Sequence, residues 1–211
     1  MRVLLRFGLA ADRPSVRSFA FVLLALLTLL TVALHRGASA AATPGDLRLS
    51  KIASELARRP VTIRCEGASG ALIGAKGESG RTGFVEGKPV SVSYLQEGIC
   101  ETLHAYAREQ AAGMNCLLPC ENPLELVWSL NTLAHESYHL AGVRNEAQTE
   151  CYALQAIDFV ARRLGASRAQ AEALAGFSFG ELPPRMPPEY SSPECRDGGR
   201  FDLKPNDPVW P

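Results

Sequence analysis

Residues 123–164 read PLELVWSLNTLAHESYHLAGVRNEAQTECYALQAIDFVARRL, and the fold follows from how this stretch divides. Pro123 to Ala141 is apolar on most sides, the pattern of a helix buried at the centre of a domain. Gly142 ends it. Asn145 then opens a second helix as its N-cap, with Gln148 three residues on to complete a capping box. The spacing predicts that this helix runs to Leu164 and stops at Gly165. So short a turn makes the two helices an antiparallel hairpin.

The hairpin carries the chemistry. His135-Glu136-Ser137-Tyr138-His139 is an H-E-x-x-H. Two His at i and i+4 stand one turn apart on one face, so both imidazoles can close on one metal ion. Glu136 lies about 100° round the helix, near enough to reach a water held by that ion. With 4 His and 16 Glu in 211 residues, chance gives about 0.006 such matches per chain. On the second helix, Leu164, Val160, Ile157, Ala153, Glu150 and Glu146 recede in steps of four and three. Both carboxylates therefore extend the core-facing stripe. Burying a bare carboxylate is costly, and a zinc ion with its His ligands would satisfy both. The competing reading is an exposed first turn, where acids suit the helix dipole without any metal.

This pattern resembles the zincin metallopeptidases. H-E-S-Y-H followed by Asn145-Glu146-Ala147-Gln148-Thr149-Glu150 looks like the gluzincin arrangement of H-E-x-x-H and then N-E-x-x-[ST]-[DE]. The resemblance covers roughly residues 124–160. It implies that His135, His139 and Glu146 are zinc ligands, Glu136 the general base, and Glu150 a carboxylate that orients a ligand His. The six residues between His139 and Glu146 are fewer than thermolysin-like families have. Hairpin geometry alone leaves Glu146 and Glu150 both open as the third ligand, and the family pattern favours Glu146. His139-Leu140-Ala141-Gly142 also matches the H-x-x-G of metzincins, but their third ligand would fall on Asn145, a poor zinc ligand. The resemblance implies a zincin-like fold and a Zn2+-dependent hydrolase acting on a peptide or protein. In that chemistry three protein ligands leave a fourth position for a water whose pKa falls to about 7. Candidates to stabilise the oxyanion are His104, Arg144 and Tyr190, among which the sequence does not choose.

Cys116-x3-Cys120-x14-His135-x3-His139 has nearly the spacing of a two-Cys, two-His zinc finger. The helix that would enter DNA carries Glu121 and Glu125 and no Lys or Arg before His135, which argues against it.

Outward from the hairpin, Asp46 to Arg59 places Leu49, Ile52, Ala53 and Leu56 on one face, a helix stopped by Pro60. Val61-Thr62-Ile63 reads as a short strand, and alternating Val90, Val92 and Tyr94 as another. Residues 66–88 hold seven Gly but no G-K-[ST], so turns between strands are expected there and not a phosphate loop. Glu97 to Ala112 forms a helix with Ile99, Leu103, Tyr106 and Ala107 on one face. A short helix runs from Ser167 to Ala175, stopped by Gly176. The expected fold class is α+β, a small mixed or antiparallel sheet packed on a helical half with an active-site helix hairpin.

The amino terminus sets the compartment. Phe19 to Leu34 is uncharged, preceded by four Arg, and followed by the cleavage-like Ala38-Ser39-Ala40. Residues 1–40 therefore read as a signal peptide or an N-terminal membrane anchor, the only part expected to meet a membrane. Either way the rest is extracytoplasmic, secreted or anchored. Residues 41–181 are the expected zinc-binding domain, and 182–211 a Pro-rich tail. Beyond the leader the chain has 17 basic and 21 acidic residues, so it has no electrostatic reason to grip nucleic acid. All six cysteines, Cys65, Cys100, Cys116, Cys120, Cys151 and Cys195, also lie beyond it. An even count in an exported domain predicts three disulfides of undetermined pairing, one of them tethering the tail through Cys195.

Overall fold

The computed structural model describes residues 44–66, 79–113, 121–206 and 210, all within one compact unit, Ala42–Pro211. The leader, Cys116 and Cys120 lie outside the described residues. The elements are α1 (Pro44–Ala57), β1 (Thr62–Glu66), β2 (Gly80–Val85), β3 (Lys88–Gln96), α2 (Glu97–Ala111), α3 (Pro123–Leu140), α4 (Glu146–Leu154), α5 (Ile157–Leu164) and α6 (Arg168–Glu181). Two 3-10 turns, Pro183–Arg185 and Pro188–Tyr190, follow. The fold is α+β, a three-stranded mixed sheet against six helices. Among the described residues no helix is long and apolar enough to cross a membrane.

β3 is the central strand, parallel to β1 and antiparallel to β2. Glu86 and Gly87 both have positive φ (51° and 77°), the two-residue turn that matches the twist of a β2–β3 hairpin. Register slips between Thr82 and Phe84, so β2 bends as it passes the helices. Cys65 on β1 and Cys100 on α2 are joined by a disulfide.

α3 runs through the middle, packed by α1, α2, the sheet, α4, α5 and α6, as its apolar circumference predicts. Leu126, Val127, Leu130, Leu133, Ala134 and Leu140 are all buried. Its end is fixed twice over. Gly142 takes φ 103°, while Val143 N–H bonds the Tyr138 carbonyl and Gly142 N–H the His139 carbonyl, a Schellman closure. Arg59 donates to the Leu140 carbonyl (2.9 Å) and the Val90 carbonyl (2.6 Å), tying the helix terminus to β3.

Two helix boundaries differ from expectation. The helix expected over Asn145–Leu164 is broken at Gln155-Ala156 into α4 and α5. Gln155 is buried, and its amide bonds the Cys151 and Phe201 carbonyls and accepts from Leu203 N–H. The chain gives up helical continuity there to seat the tail. α6 runs through Gly176 to Glu181 instead of stopping at Ala175. A helical Gly costs about 1 kcal/mol, less than the burial of Leu182 and the packing of Phe177 and Phe179 on the core return. A second disulfide, Cys151–Cys195, holds the tail against α4. Two disulfides fit an oxidising, extracytoplasmic setting.

Candidate metal centre

The α3–α4 turn brings the His pair against the first turn of α4. Asn145 Oδ1 accepts from Gln148 N–H at 2.9 Å, which starts α4 at Glu146. The Gln148 side chain bonds Tyr152 instead of returning to the cap, so only half of the expected capping box forms. Glu146 then projects between the imidazoles. Its Oε2 lies 3.1 Å from His135 Nε2 and 3.2 Å from His139 Nε2. One ligand atom from each of His135, His139 and Glu146 falls within 4.8 Å of the others, a group able to hold a metal ion.

The far edges of both imidazoles are fixed. His139 Nδ1 is 2.7 Å from the Val143 carbonyl. A carbonyl only accepts, so Nδ1 carries a hydrogen, and Nε2 is the nitrogen turned toward Glu146. His135 Nδ1 is 3.0 Å from Glu150 Oε2. Glu150 is buried and takes both its oxygens to Asn131 Nδ2. Asn131 was not foreseen from the sequence. Its signal was position, since it stands one turn before His135 on the same face of a largely apolar helix.

Burial works against charge on His135, but hydrogen bonds to Glu146 and Glu150 outweigh it and push its pKa up to about 9. The His135 hydrogen bond holds Glu146 below the usual carboxylate range. Without a metal the group therefore holds a proton where a cation would sit. Two neutral imidazoles and a carboxylate are a donor set suited to zinc. Glu146 is half-buried, between the two burial states the sequence allowed, and Glu150 is fully buried.

Glu136 reaches toward the sheet, 4% exposed. Its Oε2 accepts from Thr82 Oγ1 at 2.6 Å and lies 3.1 Å from Ser93 Oγ. Burial raises its pKa, opposed by His135 and Thr82. The space it occupies exists because residue 80 is Gly: a Cβ there would stand 2.7 Å from Glu136 Cγ.

Two cleft halves meet at Gly80, His135, Glu136 and Tyr190. The first, about 310 Å³, also takes in Arg81, Thr82, Phe84, His139, Arg144 and Glu146. The second, about 320 Å³, is walled by Trp128, Thr132, Met186 and Pro187. Trp128 is held by donating to Ser79 Oγ at 2.9 Å. The Tyr190 ring lies 5.5 Å from that of His135, and the Arg144 guanidinium sits over Phe84. Of the three oxyanion candidates, Tyr190 and Arg144 line the cleft, while His104 on α2 lines neither half. Compared with protein-family models, curated proteins and solved structures, the chain matches none.

Proposed function

We propose that this chain is an exported, zinc-dependent hydrolase, a metallopeptidase that uses Glu136 as general base on an extracytoplasmic peptide or protein. The observation that carries the reading is the convergence of His135 Nε2, His139 Nε2 and a Glu146 oxygen on the wall of an open cleft. Among the described residues no fourth His, Cys, Asp or Glu joins that group, as expected of a catalytic site. A zinc ion held by His135, His139 and Glu146 would supply a Lewis acid and a more acidic water.

The chain's own residues supply the rest. Glu150 keeps the hydrogen of His135 on Nδ1, and the Val143 carbonyl does the same for His139, so both Nε2 atoms stay available. Glu136 takes the proton of the attacking water and passes it to the leaving amine. Burial suits it to the task, because a raised pKa makes the carboxylate a stronger base toward that proton. Tyr190 and Arg144 face the cleft from opposite elements and can meet a developing oxyanion.

The test is metal analysis of the purified protein beside Glu136→Gln, with cleavage of a diverse peptide library, chelator and zinc add-back as controls. About one zinc per chain is expected in both proteins, with His135→Ala and His139→Ala empty. Glu136→Gln should lose at least about 10²–10⁴ in rate. Chelator-sensitive cleavage unaffected by Glu136→Gln would remove the mechanism. Absence of cleavage, with a fourth protein ligand seen by zinc spectroscopy, would make this a non-catalytic envelope protein with a structural zinc.

A further inference from the structure

Thr82 and Ser93 face each other across the β2–β3 ladder, with their hydroxyls 2.8 Å apart. Ser93 is fully buried. A buried hydroxyl such as that of Ser93 costs more than an apolar group unless its hydrogen bonds are used. Here both hydroxyls reach one atom, Glu136 Oε2, at 2.6 Å and 3.1 Å. Ser93 Oγ is also 2.8 Å from the Arg81 carbonyl. We propose that Thr82 and Ser93 are positioning residues, which grip Glu136 by Oε2 and leave its Oε1 beside Gly80 on the cleft wall. This rests on the hydrolase reading of the site.

Each hydroxyl carries one hydrogen and can also accept, which makes the grip indifferent to the state of Glu136. Toward a carboxylate, Thr82 donates to Oε2. Once Glu136 has taken a proton on Oε1, Oε2 still accepts, so Thr82 goes on donating to it while Ser93 donates to the Arg81 carbonyl. Every hydrogen is then used once, along contacts of 2.6 and 2.8 Å. The carboxyl therefore need not move when it gains or gives up the proton. The hydroxyls come from a sheet 54 and 43 residues away in sequence, so the base is set by the strands as well as by its own helix.

The experiment uses the full-length protein as wild type, Thr82→Val, Thr82→Ser, Ser93→Ala, Glu136→Gln, Glu136→Ala and the double variant of Thr82→Val with Glu136→Ala. It measures zinc content, thermal stability, and kcat and KM on a peptide taken from the cleaved library. Thr82→Val should keep its zinc and its KM and lose about 10²-fold in kcat, the cost of a displaced reacting group. Thr82→Ser should recover most of that loss, and Ser93→Ala should fall between. The drop in Tm caused by Thr82→Val should shrink when Glu136 is first replaced by Ala, because the two changes share the Thr82–Glu136 contact while the Thr82–Ser93 contact is lost in either case. If Glu136→Gln is inactive while Thr82→Val and Ser93→Ala keep wild-type kcat, the positioning role is overturned and the hydrolase reading stands. Loss of zinc from Thr82→Val and Thr82→Ser alike would overturn it too, placing their role in the fold. No cleavage by wild type would overturn both.

Discussion

Glu150 Oε2 lies 3.0 Å from Nδ1 of His135, which leaves the opposite nitrogen of that ring to face the cleft. The same helix presents Glu146 to that opposite nitrogen. The two acids of α4 therefore stand on either edge of one imidazole, and their removal should differ. Glu146→Gln should cost most of the zinc affinity. Glu150→Gln should cost about 10–100-fold, the usual effect of losing a group that orients a ligand. Asn131→Ala should act like a milder Glu150→Gln. Zinc titration against a competing chelator measures all three. A Glu150→Gln protein that is empty beside a Glu146→Gln protein that is full would reverse the roles.

Cys151 follows Glu150 directly, and its bond to Cys195 closes a 44-residue separation over the turn that carries Tyr190. Replacing both cysteines by Ser should destabilise the protein by about 2–4 kcal/mol, chiefly by freeing the unfolded chain. Denaturant titration should show a lower midpoint. An unchanged midpoint would mean the tail is held by Gln155 and Phe201 packing without the disulfide.

The parts of the fold written in local chemistry were legible. Periodicity located α1, α2 and α3, and alternation in Val90, Val92 and Tyr94 located β3. The chemistry-bearing helix could be read because H-E-x-x-H needs only i, i+4 geometry. What was not legible depended on distant partners. The break at Gln155 is caused by the carbonyl of Phe201, 46 residues on. The extension of α6 through Gly176 is caused by burial that no local propensity reports. β2 lies in a Gly-rich stretch read as turns between short strands, and its own bounds come from pairing with β3. Asn131 and Thr82 look ordinary in sequence and acquire meaning only beside Glu150 and Glu136.

The metal-free protein should respond to pH in one direction between about 6.5 and 9. His135 has its ordinary pKa of 6.5 raised to about 9 by its two carboxylates. A group raised on folding contributes stability that is complete below its unfolded value and is lost as pH climbs through the folded one. Glu136, raised by burial, acts in the same sense. Glu146, lowered by His135, acts in the opposite sense, only in acid below the ordinary carboxylate range. Tm of the chelator-treated protein should therefore fall from pH 6.5 to 9, and zinc should flatten the fall by replacing the His135 proton. A flat or rising Tm without metal would show that His135 is not held protonated by these acids.

Gly80→Ala tests how closely the sheet is fitted to the base. Its backbone φ lies outside the left-handed region, so alanine is conformationally allowed and the cost is steric. The added Cβ would stand 2.7 Å from Glu136 Cγ, 2.9 Å from Glu136 Oε1 and 3.0 Å from Leu95 Cδ2. Leu95 is buried with little room to retreat, so the Glu136 side chain must shift or β2 must move outward. Overpacking of this kind costs about 1–3 kcal/mol. None of the atoms that this Cβ would meet belongs to His135, His139 or Glu146, so the protein should keep its metal. Activity should fall about 10²-fold, as for other displacements of a reacting group by an ångström or so. Zinc content, Tm and peptide cleavage on the same preparation separate the two effects. A Gly80→Ala protein of reduced Tm but wild-type kcat would mean that Glu136 can move without consequence, and would count against its role as the base.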